Sequence, residues 1–266
     1  MNERQLHLLS YNIRYDSPDD GAFRWSNRRT ELVQLLRRHD PDVIGLQEAT
    51  PGQVRDIFTD LEGAYEWVGK PRDATGNGEL TPLFFRSDRL SVAWSSTRWL
   101  SETPAQAGSL GWDADVPRTV VVCGFHDQET GRRLRVYNTH FDNVGSQAVM
   151  GSIQLLKEWV VNDSTKSSEP YLIMGDLNFT PADTAYSRMG EIARDSLKVA
   201  EAEISGPEYT YIGPGFRAEN GAGTRYDYVF VSDGIIVERH ETLTDSSGGH
   251  HPSDHLPVSV SIRIPE

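Results

Sequence analysis

The sequence predicts an α/β layered fold. Short apolar runs end on polar residues, amphipathic helical stretches alternate with them, and no repeat or low-complexity linker divides the 266 residues. The clearest run is Tyr171-Leu-Ile-Met-Gly-Asp-Leu-Asn-Phe-Thr-Pro181. Residues 171–174 carry no charge and suit a buried strand better than a helix. Gly175 closes that run, and Asp176 and Asn178 follow two apart. On an extended backbone such a pair projects to one side, just outside a buried strand, where open α/β sheets place their ligand chemistry.

The remaining elements are read in chain order. Residues 6–13 form a strand ending near Asn12. Leu32, Val33, Leu35 and Leu36 recur at near-helical spacing, so 27–38 is a helix, stopped by Asp40-Pro41-Asp42. Residues 43–47 are a second buried strand delivering Glu48, and 51–61 a helix with proline at its start. Short strands are expected at 65–69 and 82–86, separated by a turn-rich segment, and a longer strand at 90–100. Residues 101–117 read as a long loop, the kind that often forms a functional rim. Segments 118–126 and 132–138 suit a hairpin leading to His140 and Asp142. Helices are expected at 146–161 and 183–194. Residues 201–223 read as turns, 225–231 as a strand bearing Asp227, and 235–243 as another strand. A polar loop at 250–255 and a closing strand at 258–264 complete the chain, read as one domain over 1–266.

Composition narrows the function. The formal net charge is -13, so the surface repels polyanions, and the arginine pairs at 28–29, 37–38 and 132–133 are too small for a duplex footprint. Tight binding to long duplex DNA is not expected; a small phosphorylated substrate or a short nucleic acid remains compatible. Mean hydropathy is -0.51, so no membrane association is expected. The single cysteine, Cys123, excludes an intramolecular disulfide. With no signal-peptide pattern at the start, a cytoplasmic location is the expectation. Oligomeric state is not legible.

Asn12, Glu48, His140, Asp142, Asp176 and Asn178 all lie at or just past strand ends, and Asp227, Asp254 and His255 join them from the C-terminal third. Plainer roles are open to each: Glu48 in a first helical turn, His140 hydrogen-bonded in a core, Asp254 at a turn. Asp227 inside an apolar strand needs a partner, and a histidine is a natural one. A carboxylate set with histidine suits a hard divalent cation and phosphate ester hydrolysis, with Mg²⁺ expected and Mn²⁺ as a substitute, and Glu48 the first candidate ligand. Zinc spacing, a P-loop and G-x-S-x-G are all missing from the sequence.

Six motifs in order carry a resemblance: Leu9-Ser-Tyr-Asn-Ile13, Ile44-Gly-Leu-Gln-Glu48, Tyr137-Asn-Thr-His140, Met174-Gly-Asp-Leu-Asn178, Arg225-Tyr-Asp-Tyr-Val-Phe230 and Ser253-Asp-His-Leu-Pro-Val258. They resemble the endonuclease/exonuclease/phosphatase superfamily. Asp176 to Pro181 with Tyr186 looks most like its deadenylase and nocturnin side, and Asn12-Ile-Arg-Tyr-Asp16 and the 99–104 and 112–115 stretches like bacterial members of unassigned substrate. The resemblance implies a four-layered α/β sandwich, two central mostly antiparallel sheets flanked by helices, with Mg²⁺-dependent phosphoesterase chemistry. It implies metal-side roles for Glu48, Asn12 and Asp254, and water and phosphate orientation by Asp176 and Asn178. His255 is the implied catalytic histidine, Asp227 its carboxylate partner, and His140 a donor to a phosphate oxygen. Arg118, Trp112 and Asn143 are expected to bind substrate, with Trp25 and Trp99 joining Trp112 in an aromatic rim. The family's apurinic nucleases carry an aspartate where this chain has Arg14, which argues against abasic-site repair. Whether Asp176 or His255 is the general base stays open. The leading function is hydrolysis of a phosphate mono- or diester; the alternatives are a nuclease acting on RNA or single-stranded DNA ends, and an inactive binding domain.

Overall fold

A computed structural model describes residues 5–166, 169–217 and 222–265. The first residues of the chain, and 218–221 of the segment read as turns, lie outside the described residues. Among the described residues two sheets pack face to face. The first runs β10 (Ala200–Ser205), β12 (Ile236–Thr242), β13 (Val258–Arg263), β1 (Leu6–Asn12), β2 (Val43–Gln47), β4 (Leu83–Arg86), β3 (Tyr65–Val68). The second runs β5 (Leu90–Trp99), β6 (Thr119–Asp127), β7 (Arg133–His140), β8 (Tyr171–Asp176), β11 (Asp227–Val231), β9 (Arg194–Asp195). Most neighbours are antiparallel; β1 with β2, β7 with β8 and β10 with β12 run parallel.

Helices cover both outer faces, which makes four layers. Leu32, Val33, Leu35 and Leu36 of α1 (Trp25–His39), with Val54 and Ile57 of α2 (Pro51–Asp60), pack on the first sheet. Ile153, Leu156 and Val160 of α3 (Ser146–Lys166), with Ala185 and Met189 of α4 (Thr184–Gly190), pack on the second. Between the sheets lies a core of Val43, Leu83, Val136, Met174, Val229 and Val260 with their neighbours. The alternation is visible within β2: Val43 faces the inter-sheet core, while Ile44 and Leu46 face the helices.

Two corrections concern the C-terminal half. The helix expected over 183–194 ends at Gly190, and Arg194 and Asp195 instead pair with β11. Within the stretch read as turns, Ala200–Ser205 is a strand. Its sequence, Ala-Glu-Ala-Glu-Ile-Ser, alternates apolar and polar residues over only six positions and is mostly exposed, as an edge strand paired only to β12 among the described residues. The short α5 (Ser196–Val199) connects the two. Residues 101–117 contain no helix or strand, as expected.

A buried polar lock joins the sheets beneath the site. Asn138 of β7 accepts from Gln47 Nε2 (2.7 Å), and its own Nδ2 donates to the carbonyls of Leu46 (2.9 Å) and Pro82 (2.9 Å). Gln47 precedes Glu48, and Asn138 lies two residues before His140, so this lock aligns side chains contributed by different sheets. Gly45 makes the approach possible: a Cβ there would sit 2.5 Å from Met174 Cε and 2.7 Å from Asn138 Oδ1. Asn138→Leu should leave the Leu46 carbonyl without a partner in the dry interior and take one bond each from the Pro82 carbonyl, which keeps the Leu46 N–H, and from Gln47 Nε2, which keeps the Gly45 carbonyl. Unpaired buried groups cost roughly 1–3 kcal/mol each, so a loss of about 3 kcal/mol is expected in urea denaturation. A change below about 1 kcal/mol would show that the lock contributes little.

Candidate active site

The strand ends converge through register. Asp176 pairs with His140 on one side and with Asp227 on the other. Asn12 enters from the opposing sheet beside Gln47. Gly175 lets β7 and β8 approach: it adopts φ +146, and a Cβ would lie 1.8 Å from the Thr139 carbonyl oxygen. Beyond β1, β2 and β8 the backbone turns left-handed at Arg14 (φ 54), Glu48 (φ 59) and Asn178 (φ 50). Non-glycine residues adopt this conformation at a cost of about 1–2 kcal/mol each. Three such residues around one cleft mark a place where side-chain direction outweighs backbone comfort.

Asn12 is fully buried and its Nδ2 donates to both Glu48 Oε1 (3.0 Å) and Asp176 Oδ2 (2.9 Å). Its Oδ1 accepts the Arg14 amide (3.0 Å). Asn12 was expected on the metal side. The structure places it as an amide bridge that holds two carboxylates together, with its oxygen already engaged by backbone. Glu48 Oε2 accepts the Tyr15 amide at 3.3 Å.

His255 Nδ1 donates to Asp227 Oδ2 at 2.8 Å, and its Nε2 lies 3.7 Å from Asp176 Oδ2. Burial alone would lower the ring's pKa, but the charges of Asp227 and Asp176 overcome it and raise it to about 10. Burial, and then the charge of Asp227, raise the Asp176 carboxyl to about 7, against His255 and the Asn12 amide. Burial raises Asp254 as well, with Glu48 adding to it against His255 and Arg14. Asp227 is inaccessible, and its Oδ1 has no hydrogen-bond partner.

His140 lines the cleft with Asp176 and Asn178. Burial, with Arg118, His255 and Arg72, drives its pKa well below the ordinary value, so the ring is neutral. Its Nε2 faces Asn178 Nδ2 at 3.0 Å, and the same Nδ2 donates to the Phe141 carbonyl at 2.9 Å. That carbonyl fixes which end of the Asn178 amide is nitrogen. Nε2 of His140 lies also 3.5 Å from Asp176 Oδ2. The Asn178 backbone N–H donates to Asp176 Oδ1 (3.0 Å).

These groups floor a cleft of about 580 Å³, lined also by Arg14, Tyr15, Arg72, Glu79, Asp115, Arg118, Asn143, Tyr211 and Tyr226. Arg118 is held by Asp142 Oδ2 (3.3 Å) and Asn143 Oδ1 (2.9 Å), and Asp142 in turn caps the Val144 and Gly145 amides. The expected tryptophan rim is corrected. Trp25 is buried against α2 with its N–H on Asp56 (2.8 Å), and Trp99 is buried with its N–H on the Arg72 carbonyl (2.6 Å). Trp112 packs its indole over Gly151 of α3 and is not among the cleft-lining residues. Tyrosines form the aromatic wall instead. Tyr211 lies 5.0 Å from the His255 ring and 5.8 Å from Tyr226, between centroids. Arg72, Glu79 and these tyrosines were missed because they sit in loops or turn-rich segments without periodic signal.

The donor set fits a hard cation. Asp176, Asp227 and His255 offer ligand atoms within 4.8 Å of one another. Their proximity is already explained by the His255–Asp227 ion pair, which occupies the ring's Nδ1. Glu48 and Asp254 also line the cleft and repel each other, with His255 and Arg14 beside Asp254. A pair of carboxylate oxygen donors of that kind is compatible with Mg²⁺-type coordination.

Two facing sheets with this carboxylate and histidine floor define a hydrolase of the α/β sandwich type. The chain belongs to the Endonuclease/Exonuclease/phosphatase family, whose model matches residues 9–255, and with it to the hydrolases that act on phosphate ester bonds. It is similar to an endonuclease/exonuclease/phosphatase from Bacteroides vulgatus: 30% identity, 98% of this chain and 100% of that one, TM-score 0.90. It is similar also to the mannosyl-6-phosphatase Bt3783 of Bacteroides thetaiotaomicron: 29% identity, 97% and 99% coverage, TM-score 0.91. The human nocturnin catalytic domain shares the fold at 18% identity, with 98% and 95% coverage and a TM-score of 0.76. The chain spans at most 60% of the length of the curated relatives it matches.

Asp227→Asn keeps an acceptor for His255 but removes its charge. The balance should then tip toward burial, so the His255 pKa should fall from about 10. Imidazole NMR titration of the metal-free protein reads this directly, and an unchanged titration would refute the pairing. In turnover, Asp227→Asn and His255→Ala should each cost roughly 10²–10⁴-fold, and the double variant little more, because groups acting as a unit are non-additive.

Proposed function

We propose that the protein is a divalent-cation-dependent phosphatase that hydrolyses a phosphate monoester of a small polar molecule, with Mg²⁺ as the ion. The observation that carries this reading is the charge arrangement of the cleft. Carboxylates and an imidazolium share its floor, while Arg118 and Arg72 stand beside His140 on one lip. Two guanidiniums so placed suit the dianionic oxygens of a terminal phosphate. The modest volume of the open cleft, about 580 Å³, and its tyrosine wall suit a single ring. Likeness to a mannosyl-6-phosphatase over nearly the whole of both chains supports a sugar-type leaving group.

Held by Glu48 and Asp254, the cation would polarise a phosphoryl oxygen and offset the charge that develops there. The residues do the rest. Asp176, with a pKa near 7, is matched to taking a proton from the attacking water at neutral pH. His255 already carries its proton to about pH 10, so it serves as a fixed positive charge beside the reacting oxygens rather than as base. Asn12 holds Glu48 and Asp176 in register, and Asp142 with Asn143 orients Arg118 toward the phosphate.

The test is a substrate panel with and without chelator: sugar monophosphates, a bis-aryl phosphodiester and single-stranded RNA. EDTA should abolish phosphate release, Mg²⁺ or Mn²⁺ should restore it, and monoesters should turn over fastest. Full activity in chelator would sink the mechanism, and faster cleavage of RNA would favour a nuclease. The net charge of -13 further predicts weak, salt-sensitive binding to long duplex DNA. Nanomolar duplex affinity at physiological salt, read by fluorescence anisotropy, would refute that expectation.

A further inference from the structure

Trp112 lies outside the cleft, in a setting unlike that of the two buried tryptophans. Trp25 and Trp99 are each 5% exposed, whereas Trp112 is 36% exposed. A Cβ on Gly151 of α3 would lie 2.3, 2.3 and 2.5 Å from Cε2, Cζ2 and Cη2 of the indole. Near-equal distances to three consecutive ring atoms put that point over the face of the six-membered ring, not at its edge. One face of the indole is therefore seated on the helix, at a position where any Cβ would collide with it, and the exposure belongs to the other side. The seat is made against local preference. Trp112 has φ 46, unusual for a bulky residue, and Gly151 stands inside a helix, where glycine is entropically unfavourable.

The seat is also tied to the cleft. Asp113 Oδ1 accepts the Ala148 amide at 2.8 Å, which pins the loop to α3. Asp115, whose own amide donates to Asp142 at 3.3 Å, lines the cleft together with Asn143. Asp115 follows Trp112 by three residues, so their Cα atoms lie no more than about 11 Å apart. A flat aromatic face held open that close to the cleft suits a ring stacked on it. Its surroundings select the kind of ring. Glu102, which accepts the Trp112 amide at 3.3 Å, is exposed, as are Asp113 and Asp115. Such a rim opposes the phosphodiester chain of a nucleic acid and offers acceptors to the hydroxyls of a neutral ring. Leu110 and Met150, also exposed, give the platform an apolar margin that suits the C–H face of a sugar.

We infer that Trp112 is a sugar-stacking platform, a second subsite outside the cleft, and that the preferred substrate is an oligosaccharide carrying the phosphate on its terminal sugar. The phosphorylated sugar occupies the cleft, and its neutral neighbour lies on Trp112. This rests on the phosphomonoesterase reading above.

The experiment compares p-nitrophenyl phosphate, glucose 6-phosphate and maltose 6′-phosphate, which carries its phosphate on the non-reducing sugar. Each is assayed with Mg²⁺ in the wild-type protein, Trp112→Ala and Trp112→Phe. A stacking contact is worth roughly twofold to tenfold in affinity. The wild type should therefore favour the disaccharide ester over glucose 6-phosphate by at least about threefold in kcat/KM, chiefly through KM. Trp112→Ala should erase most of that ratio and leave glucose 6-phosphate turnover unchanged, while Trp112→Phe should keep part of the ratio. A wild-type ratio near one overturns the inference without recourse to any variant. So does a Trp112→Ala protein, folded by circular dichroism, that keeps the wild-type ratio, whether or not both rates fall. Hydrolysis of p-nitrophenyl phosphate with no preference for the disaccharide ester sinks only this inference. Failure to hydrolyse any of the three overturns the phosphatase reading and this inference together.

Discussion

Negative charge crowded into a dry place is the constraint on which the rest of the structure depends. Glu48, Asp176 and Asp254 reach one cleft from three chain segments, with Asp227 buried behind His255, and all but Glu48 are buried. Left alone, such a set would repel itself and take up protons. Two local devices hold it. The Asn12 amide bridges Glu48 and Asp176, and the His255 ring bonds Asp227 while facing Asp176. Each device satisfies only part of the charge, as the raised Asp176 and Asp254 show. What remains unsatisfied favours a proton or another positive charge at Asp176 and Asp254.

The framework around the site answers the same constraint. Arg28, buried between the rings of Trp25 and Phe216, donates to the carbonyls of Ile13, Arg14 and Tyr15 on one loop and Pro252 on another. It thereby ties the loop after β1 to the loop that presents Asp254 and His255. Arg225 does comparable work at the head of β11. It forks onto both oxygens of Asp195 at 2.7 and 2.8 Å, lies over Tyr228, and so fixes the entry to Asp227. Neither arginine lines the cleft. Both convert buried charge into fixed geometry, which fits a role in register more than in raw stability.

What the sequence made legible follows from how each segment is buried. Residues 43–47 and 171–176 were readable because both faces of those strands are covered, leaving uninterrupted apolar runs. That Asp227 needs a partner was readable because a carboxylate in an apolar strand demands one, while His255 as that partner came from the family resemblance. Ala200–Ser205 was not readable, because its alternation is short, built mainly on alanine and glutamate, and lies exposed at a sheet edge. The tryptophans misled for a related reason: an indole packs as readily as it stacks on a ligand. Trp25 and Trp99 found core partners for their N–H groups, whereas the exposed role went to tyrosines. Arg72 and Glu79 pair with each other at 2.8 Å across a turn-rich segment, a contact that no periodicity encodes. His140 shows the limit of motif reasoning: its position was foreseen, but its protonation depends on Arg118 and Arg72, which reach it from elsewhere in the chain.

The overall charge and the cleft pull in opposite directions, and the length scale decides between them. A net charge of -13 is spread over the whole surface and opposes any long polyanion whose charges must lie along it. Beyond a Debye length of about 8–10 Å in physiological salt, that field is screened. A small phosphate ester that has entered the cleft instead meets guanidiniums at contact distance. There the directional N–H groups of Arg14, Arg72 and Arg118 matter more than the distant carboxylates, because contact interactions at a partly dry site are screened least. A composition that opposes a long polyanion therefore need not oppose a compact anion, because the paired guanidiniums of the cleft act through directional N–H groups at contact distance rather than through net charge.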